Sequence, residues 1–191
     1  SYLLSSIIFF FYPPSHLTSL IHWGFNHSVS VSKTKMAAND AQIQTLLAKL
    51  KALMPNVHLY DGHWLRTWDK SQQEVDATLI LAELLELLYR KNISVKVFEG
   101  SSAVSIFRDQ STRTRSSFAS ACALLGLGIL DMDETKSQVA HGETVRETAA
   151  MLSFLTEASG IRDELFIGEG HKYHKEVADT SDVSHKAGVL P

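Results

Sequence analysis

Cysteine occurs once in 191 residues, at position 122, so one chain can form neither a disulfide framework nor a cysteine-built zinc site. A reducing compartment is the default that follows. Cys122 lies among Ala119, Ala121, Ala123, Leu124 and Leu125, surroundings that suit a buried, inert thiol rather than a nucleophile. Excess charge of one sign is also lacking. The formal net charge is -3, which gives no global attraction to nucleic acid or to an anionic membrane, so any anion site must be local. The apolar run Ile7-Ile8-Phe9-Phe10-Phe11-Tyr12 falls well short of the ~20 residues that a bilayer-crossing helix requires. There is no GxxxxGK[ST] loop and no internal repeat, and Leu124-Leu125-Gly126-Leu127-Gly128 closes a helix instead of opening one after a strand, which excludes a dinucleotide fingerprint.

Residues 1–35 hold no acidic residue and no arginine. They lack the basic n-region and small-residue cleavage site of a secretory signal and the arginines of a mitochondrial presequence. The segment is expected to be a leader outside the domain, either translated upstream sequence or an atypical targeting segment. Met36-Ala37-Ala38-Asn39-Asp40 has the look of a natural start. The remaining chain, in a sequence that is 45% hydrophobic and 20% charged, has room for one core of about 150 residues.

What is present centres on Ser111-Thr112-Arg113-Thr114-Arg115, between the apolar run Ala103-Val104-Ser105-Ile106-Phe107 and a helical stretch from Ser116 to Leu125. A strand that ends in a polar turn and opens a helix presents unpaired N–H groups and a positive dipole end to an anion. Arginine adds a planar, permanently charged fork that matches phosphate oxygens two at a time. The surrounding pattern predicts helices from Ala41 to Met54, stopped by Pro55, and from a capping box at Ser71-Gln72-Gln73-Glu74 to Lys91-Asn92, with Val75, Leu79, Ala82, Leu85 and Leu88 on one face. Short β-favouring runs are expected at Ser94–Phe98, Ala103–Phe107 and Gly128–Asp131. A further helix from about Glu143 to Ala158 is closed by Gly160, and residues 179–191 form a loosely held polar tail. Alternating strands and helices predict an α/β fold, a parallel sheet flanked by helices on both faces, with ligand bound at the carboxyl ends of its strands. His171 and His174 have the spacing of a shared helix face, but no acidic or cysteine partner completes a metal pattern. They are assigned to a solvated face, and no metal or other cofactor is assigned.

Phe107-Arg108-Asp109-Gln110-Ser111-Thr112-Arg113-Thr114-Arg115-Ser116-Ser117-Phe118 resembles the carbamoyl-phosphate signature of the aspartate/ornithine carbamoyltransferase family. Ser137-Gln138-Val139-Ala140-His141-Gly142-Glu143-Thr144, Val145-Arg146-Glu147-Thr148 and Gly160-Ile161-Arg162 follow in that family's order and spacing. Phe107-Arg108-Asp109, Ala140 to Thr148 and Gly188-Val189-Leu190-Pro191 favour its ornithine-carbamoyltransferase-like, YgeW-type branch. The resemblance implies that Ser111, Thr112, Arg113 and Thr114 hold the phosphate and that Thr114 and Arg162 reach the carbamoyl oxygen. It implies that Gln138 enters the site of a neighbouring subunit in a homotrimer. Arg113, Thr114 and Arg162 are the catalytic candidates. Glu143 is expected either to pair with Arg113 or to complement a helix N-terminus, and Arg115 to make a structural ion pair.

By the same resemblance, residues 37–180 are the carbamoyl-phosphate-binding domain and 181–191 lead to an amino-acid-binding domain. The family's His-Pro-x-Gln motif does not occur in the sequence. The expected function is transfer of the carbamoyl group from carbamoyl phosphate to an amino or ureido nitrogen of an amino-acid-like acceptor. A non-catalytic oligomerising fragment and a binder of another phosphate ester are the alternatives. The implied location is cytoplasmic, with mitochondrial as the alternative, and neither nucleic acid nor membrane is an expected partner.

Overall fold

Caps and apolar spacing set the helices of this protein, and a buried central strand organises its sheet. The computed structural model describes residues 8–9, 40–59, 62–108, 111–133, 138–163 and 169–186. The regular elements are β1 (Ile8–Phe9), α1 (Ala41–Leu53), α2 (Gln72–Arg90), β2 (Ser102–Phe107), α3 (Thr112–Leu125), β3 (Gly128–Met132), α4 (Val145–Leu155), β4 (Ala158–Arg162) and α5 (Glu169–Lys186). They fall into two compact units, one holding α1 and α2, the other the sheet with α3, α4 and α5.

In the two-helix unit, Asp40 caps α1 by accepting the N–H groups of Gln42 at 3.0 Å and Ile43 at 3.3 Å. Pro55 stands in a 3₁₀ turn over Met54–Asn56 that ends the helix, because its ring cannot donate an amide hydrogen. The Ser71 capping box opens α2, with the Ser71 N–H donating to Glu74 at 2.8 Å. Asn92 at φ 55° leaves it, a left-handed position that Asn tolerates. Ile43, Leu46 and Leu84 are buried together, with Leu47, Ile80, Leu87 and Leu88 packed on them. The face expected for α2 is therefore rotated: Leu79 is exposed and Ala77 and Leu84 are buried. The run Leu79-Ile80-Leu81-Ala82 is apolar on every side, so spacing alone does not select the buried stripe.

In the sheet unit the strand order is β1-β4-β2-β3. β2 pairs in parallel with β3, from Ser102 opposite Gly128 to Ile106 opposite Met132, and with β4, from Ala103 opposite Ala158 to Phe107 opposite Arg162. β1 adds an antiparallel pair to β4, Ile8 opposite Ile161 and Phe9 opposite Gly160. Residues 103–107 are all buried, as expected of a strand covered on both faces. Val104, Ile106 and Ile161 pack on Ala149 and Leu152 of α4 and Val177 and Ala178 of α5. On the other face Phe118 of α3 lies against Gly160, where an added Cβ would stand 2.5 Å from the ring. Helices on both faces of a parallel sheet match the expected fold class. β3 is an edge strand, with Ile129 and Leu130 exposed.

Three local expectations change. Ser94–Phe98 forms no strand: the Val97 N–H turns back onto the Val95 carbonyl at 2.9 Å. The helix expected to reach Ala158 stops at Leu155, and Gly160 lies inside β4 instead of closing a helix. Pairing with β2 and the need for a residue without a side chain beneath Phe118 override the weak strand preference of Ala158-Ser159-Gly160. Finally, α5 runs to Lys186 and covers part of the stretch expected to be loose.

Candidate functional site

Ser111 is the N-cap of α3, in extended backbone at φ -143° and ψ 102°, and its hydroxyl makes no capping hydrogen bond. Thr112 and Arg113 are exposed, and Ser111 and Thr114 are half-buried. The first N–H groups of a helix have no partner within it. In the other helices a carboxylate attends to that end: Asp40 at α1, Glu74 at α2, Glu147 at α4 and Glu169 at α5. The first turn of α3 holds no acidic residue. Its positive end is instead joined by Arg113, which has no ion pair among the described residues. The helix dipole and the guanidinium both favour a bound anion there.

Arg162 ends β4, opposite Phe107 at the end of β2, and its carbonyl accepts the Arg108 N–H at 3.0 Å. Arg162 and the Ser111 turn thus belong to the carboxyl ends of two adjacent parallel strands, the edge where open α/β sheets bind ligands. Arg115 has a different setting. It forms an ion pair with Asp131 of β3 and lies 5.0 Å over the Phe107 ring. Ser105, fully buried in β2, donates its hydroxyl to the same Asp131 carboxylate. Arg115 therefore ties α3 to the sheet.

Glu143 is half-buried before the Thr144 cap of α4 and makes no ion pair with Arg113 among the described residues. Gln138 opens a 3₁₀ turn that runs to His141, and its side chain lies outside the described part of the structure. Cys122 is buried, and burial pushes its thiol up to about 11, far from the thiolate chemistry of a nucleophile.

Sequence reading missed one group beside this edge. Arg108 and Asp163 pair at 2.6 Å, with the Asp163 side chain only 3% exposed, and the Arg108 guanidinium lies 4.5 Å from the Tyr173 ring centre. Phe107-Arg108-Asp109 carried a signal as a branch marker but gave no hint of a partner 55 residues away. His174 is a correction. It is not on a solvated face: its Nε2 is buried, with no hydrogen-bond partner among the described residues, and burial, ahead of the nearby charges, lowers its pKa. A shallow groove of about 440 Å³ between α4 and α5, lined by Arg146, Lys172, Lys175, Glu176 and Asp179, contains none of the candidate residues.

Chemically, a helix start with three hydroxyl residues, an arginine and no acidic residue in its first turn suits a phosphate group. A second arginine, Arg162, ends the adjacent parallel strand at the same edge of the sheet. Comparison with known proteins points the same way. Residues 62–188 match the family described as aspartate/ornithine carbamoyltransferase, carbamoyl-P binding domain. The chain is 51% identical over 134 residues to the carbamoyltransferase-like protein YgeW of Escherichia coli K12, covering 70% of this chain and 34% of that protein. It is 34% identical over 125 residues to the ornithine carbamoyltransferase of Bacillus subtilis, covering 65% of this chain and 36% of that protein. Among solved structures, the ornithine carbamoyltransferase of Pyrococcus furiosus superposes with a TM-score of 0.54 at 30% identity, over 61% of this chain and 36% of that one. Aspartate transcarbamoylase of Trypanosoma cruzi shares the fold, with a TM-score of 0.52 at 20% identity over 60% of this chain and 34% of that one. The chain spans about a third of the length of these relatives.

Proposed function

The chain belongs to the aspartate/ornithine carbamoyltransferase family through its carbamoyl-phosphate-binding domain, and on that premise we propose that the α3 turn binds carbamoyl phosphate for transfer of its carbamoyl group to an amine. Ser111, Thr112, Arg113 and Thr114 receive the phosphate, and Thr114 and Arg162 the carbonyl oxygen. The neutral nitrogen of an amino-acid-like acceptor attacks the carbonyl carbon, negative charge gathers on its oxygen, and the C–O bond to phosphate breaks. The nitrogen gives up a proton to the departing phosphate, which leaves as inorganic phosphate. No covalent enzyme intermediate is needed, because fixed donors at the two oxygens stabilise the charge that develops. Gln138 completes a neighbouring subunit's site in a homotrimer, and the reaction is cytoplasmic.

The observation that carries this reading is the start of α3, where the carboxylate found at the other helix starts is replaced by Arg113, on the sheet edge that also holds Arg162. The test is thermal denaturation with saturating carbamoyl phosphate or phosphate. A ligand held only by the folded state at 100 times its Kd stabilises by about 2.7 kcal/mol, and Arg113→Ala should remove that protection. An unchanged melting curve for the parent chain would refute the reading.

A further inference from the structure

Arg108 follows the last residue of β2 and Asp163 the last residue of β4. They lie 55 residues apart in sequence, yet Nη1 of Arg108 stands 2.6 Å from Oδ2 of Asp163. Each is placed next to a part of the proposed site: Asp163 adjoins Arg162, and Arg108 shortly precedes Ser111. The main chains of the two segments also meet here, where the Arg108 N–H donates to the Arg162 carbonyl at 3.0 Å.

The surroundings make this contact stiff. The Asp163 side chain is 3% exposed against 31% for Arg108, and a carboxylate that deep is stabilised only by retaining its partner. Tyr173 of α5 lies beneath the guanidinium at 4.5 Å, and a planar cation stacked on a ring has its orientation fixed as well as its position. The first turn of α5 seats directly on Asp163, since a Cβ at Gly170 would come within 2.7 Å of the Asp163 carbonyl oxygen. Strand ends are ordinarily where a sheet opens first. At this end a half-buried ion pair, an aromatic stack and a close helix contact reinforce the last main-chain bond.

We infer that Arg108 and Asp163, braced by Tyr173, are positioning residues that fix the separation between the phosphate turn at Ser111–Thr114 and Arg162. The inference rests on the proposed binding of carbamoyl phosphate at that turn. In this inference the pair acts through the strand ends and not through contact with the phosphate or the carbonyl oxygen. It holds the two strand ends so that one ligand meets both sets of donors without the donors having to rearrange. Such preorganisation is sensitive to small shifts, and displacement by about 1 Å can cost up to about a hundredfold.

The experiment uses the full chain and two measurements: hydrogen exchange of the Arg108 amide, with the Val104 amide as internal control, and affinity for carbamoyl phosphate, whose phosphate and carbonyl oxygen call on both sets of donors. Asp163→Asn should speed exchange at Arg108 and weaken carbamoyl phosphate binding by about tenfold or more, leaving Val104 slow. Arg108→Lys, which keeps a cation beside Asp163 but not the planar stack, should lose less affinity than Arg108→Met. If Asp163→Asn does not fold, Tyr173→Leu removes only the stack and reads the same two signals.

Unchanged exchange at Arg108 overturns the inference. So does faster exchange with carbamoyl phosphate affinity intact, because the pair would then only strengthen the sheet. Failure of the parent chain to bind carbamoyl phosphate sinks the functional reading instead, and exchange at Arg108 by itself then decides whether the pair sets the strand ends.

Discussion

Arg115 of α3 and Asp131 of β3 form an ion pair whose carboxylate also accepts the hydroxyl of Ser105 in β2. One side chain thus joins three elements beneath the turn that carries Arg113. The two contacts differ in strength. Arg115 and Asp131 are 36% and 45% exposed, and a pair so open to water contributes about 0–1 kcal/mol. Ser105 is fully buried, and a buried hydroxyl left without its acceptor costs about 1–3 kcal/mol.

Asp131→Ala should therefore destabilise the protein more than Arg115→Met, and Ser105→Ala in the Asp131→Ala background should restore part of the loss. Urea denaturation of the four proteins measures the differences. Equal losses from the two single substitutions would show that the Ser105 hydroxyl does not depend on Asp131.

Gly160→Ala should lower stability by about 1–3 kcal/mol, the usual cost of forcing an extra carbon into a packed interior. The new Cβ would stand 2.5 Å from Cε2 of Phe118, itself fully buried. Residues in contact couple, so Phe118→Leu combined with Gly160→Ala should lose less than the sum of the two single losses. Thermal melting of the three variants checks this.

Burial lowers the pKa of His174 below its ordinary 6.5, so the folded state takes up a proton less readily than the unfolded chain. The stability this gives is complete above about pH 6.5, the unfolded value, and is lost as pH falls through the lowered folded value. The carboxyls of Asp40, Glu74 and Glu147 are also held down, Asp40 chiefly by Lys91 and the other two by the N–H groups of Ser71 and Thr144. Their ordinary values of 3.8 and 4.5 keep them out of that window. Urea midpoints measured from pH 7.5 to pH 5 should fall on the acid side, and His174→Gln should flatten the slope.

Cys122 should resist thiol reagents while the protein is folded. With its side chain buried and its pKa pushed up to about 11, almost none of it is the reactive thiolate at neutral pH. Labelling should appear only as the protein unfolds, giving a direct count of unfolded chains.

The turn at Ser111–Arg115 was legible in the sequence because everything that makes it is local: an apolar strand, then hydroxyls and arginines at a helix start. The caps at Asp40 and Ser71 and the stop at Pro55 have the same local origin. β4 was not legible, since Ala158-Ser159-Gly160 has little strand preference and becomes a strand by pairing with β2 and fitting beneath Phe118. Ser94–Phe98 shows the reverse, a strand-favouring composition with no strand pairing. Arg162 entered through family resemblance alone, and its place opposite Phe107 is a consequence of the β2–β4 register. The partners of Arg115 and Arg108 lie in distant segments, and no periodicity specifies them.

β3 has consequences for handling the protein. Its outer side pairs with no strand among the described residues, and Ile129 is 43% and Leu130 49% exposed, with Asp131 its one charged side chain. Bare strands of that kind template stacking of further chains, and lysine or proline, the residues that commonly discourage it, are missing from Gly128–Met132. Concentrated solutions should therefore be prone to sheet-mediated clumping that starts at this margin, and a lysine in place of Leu130 should keep the protein dispersed.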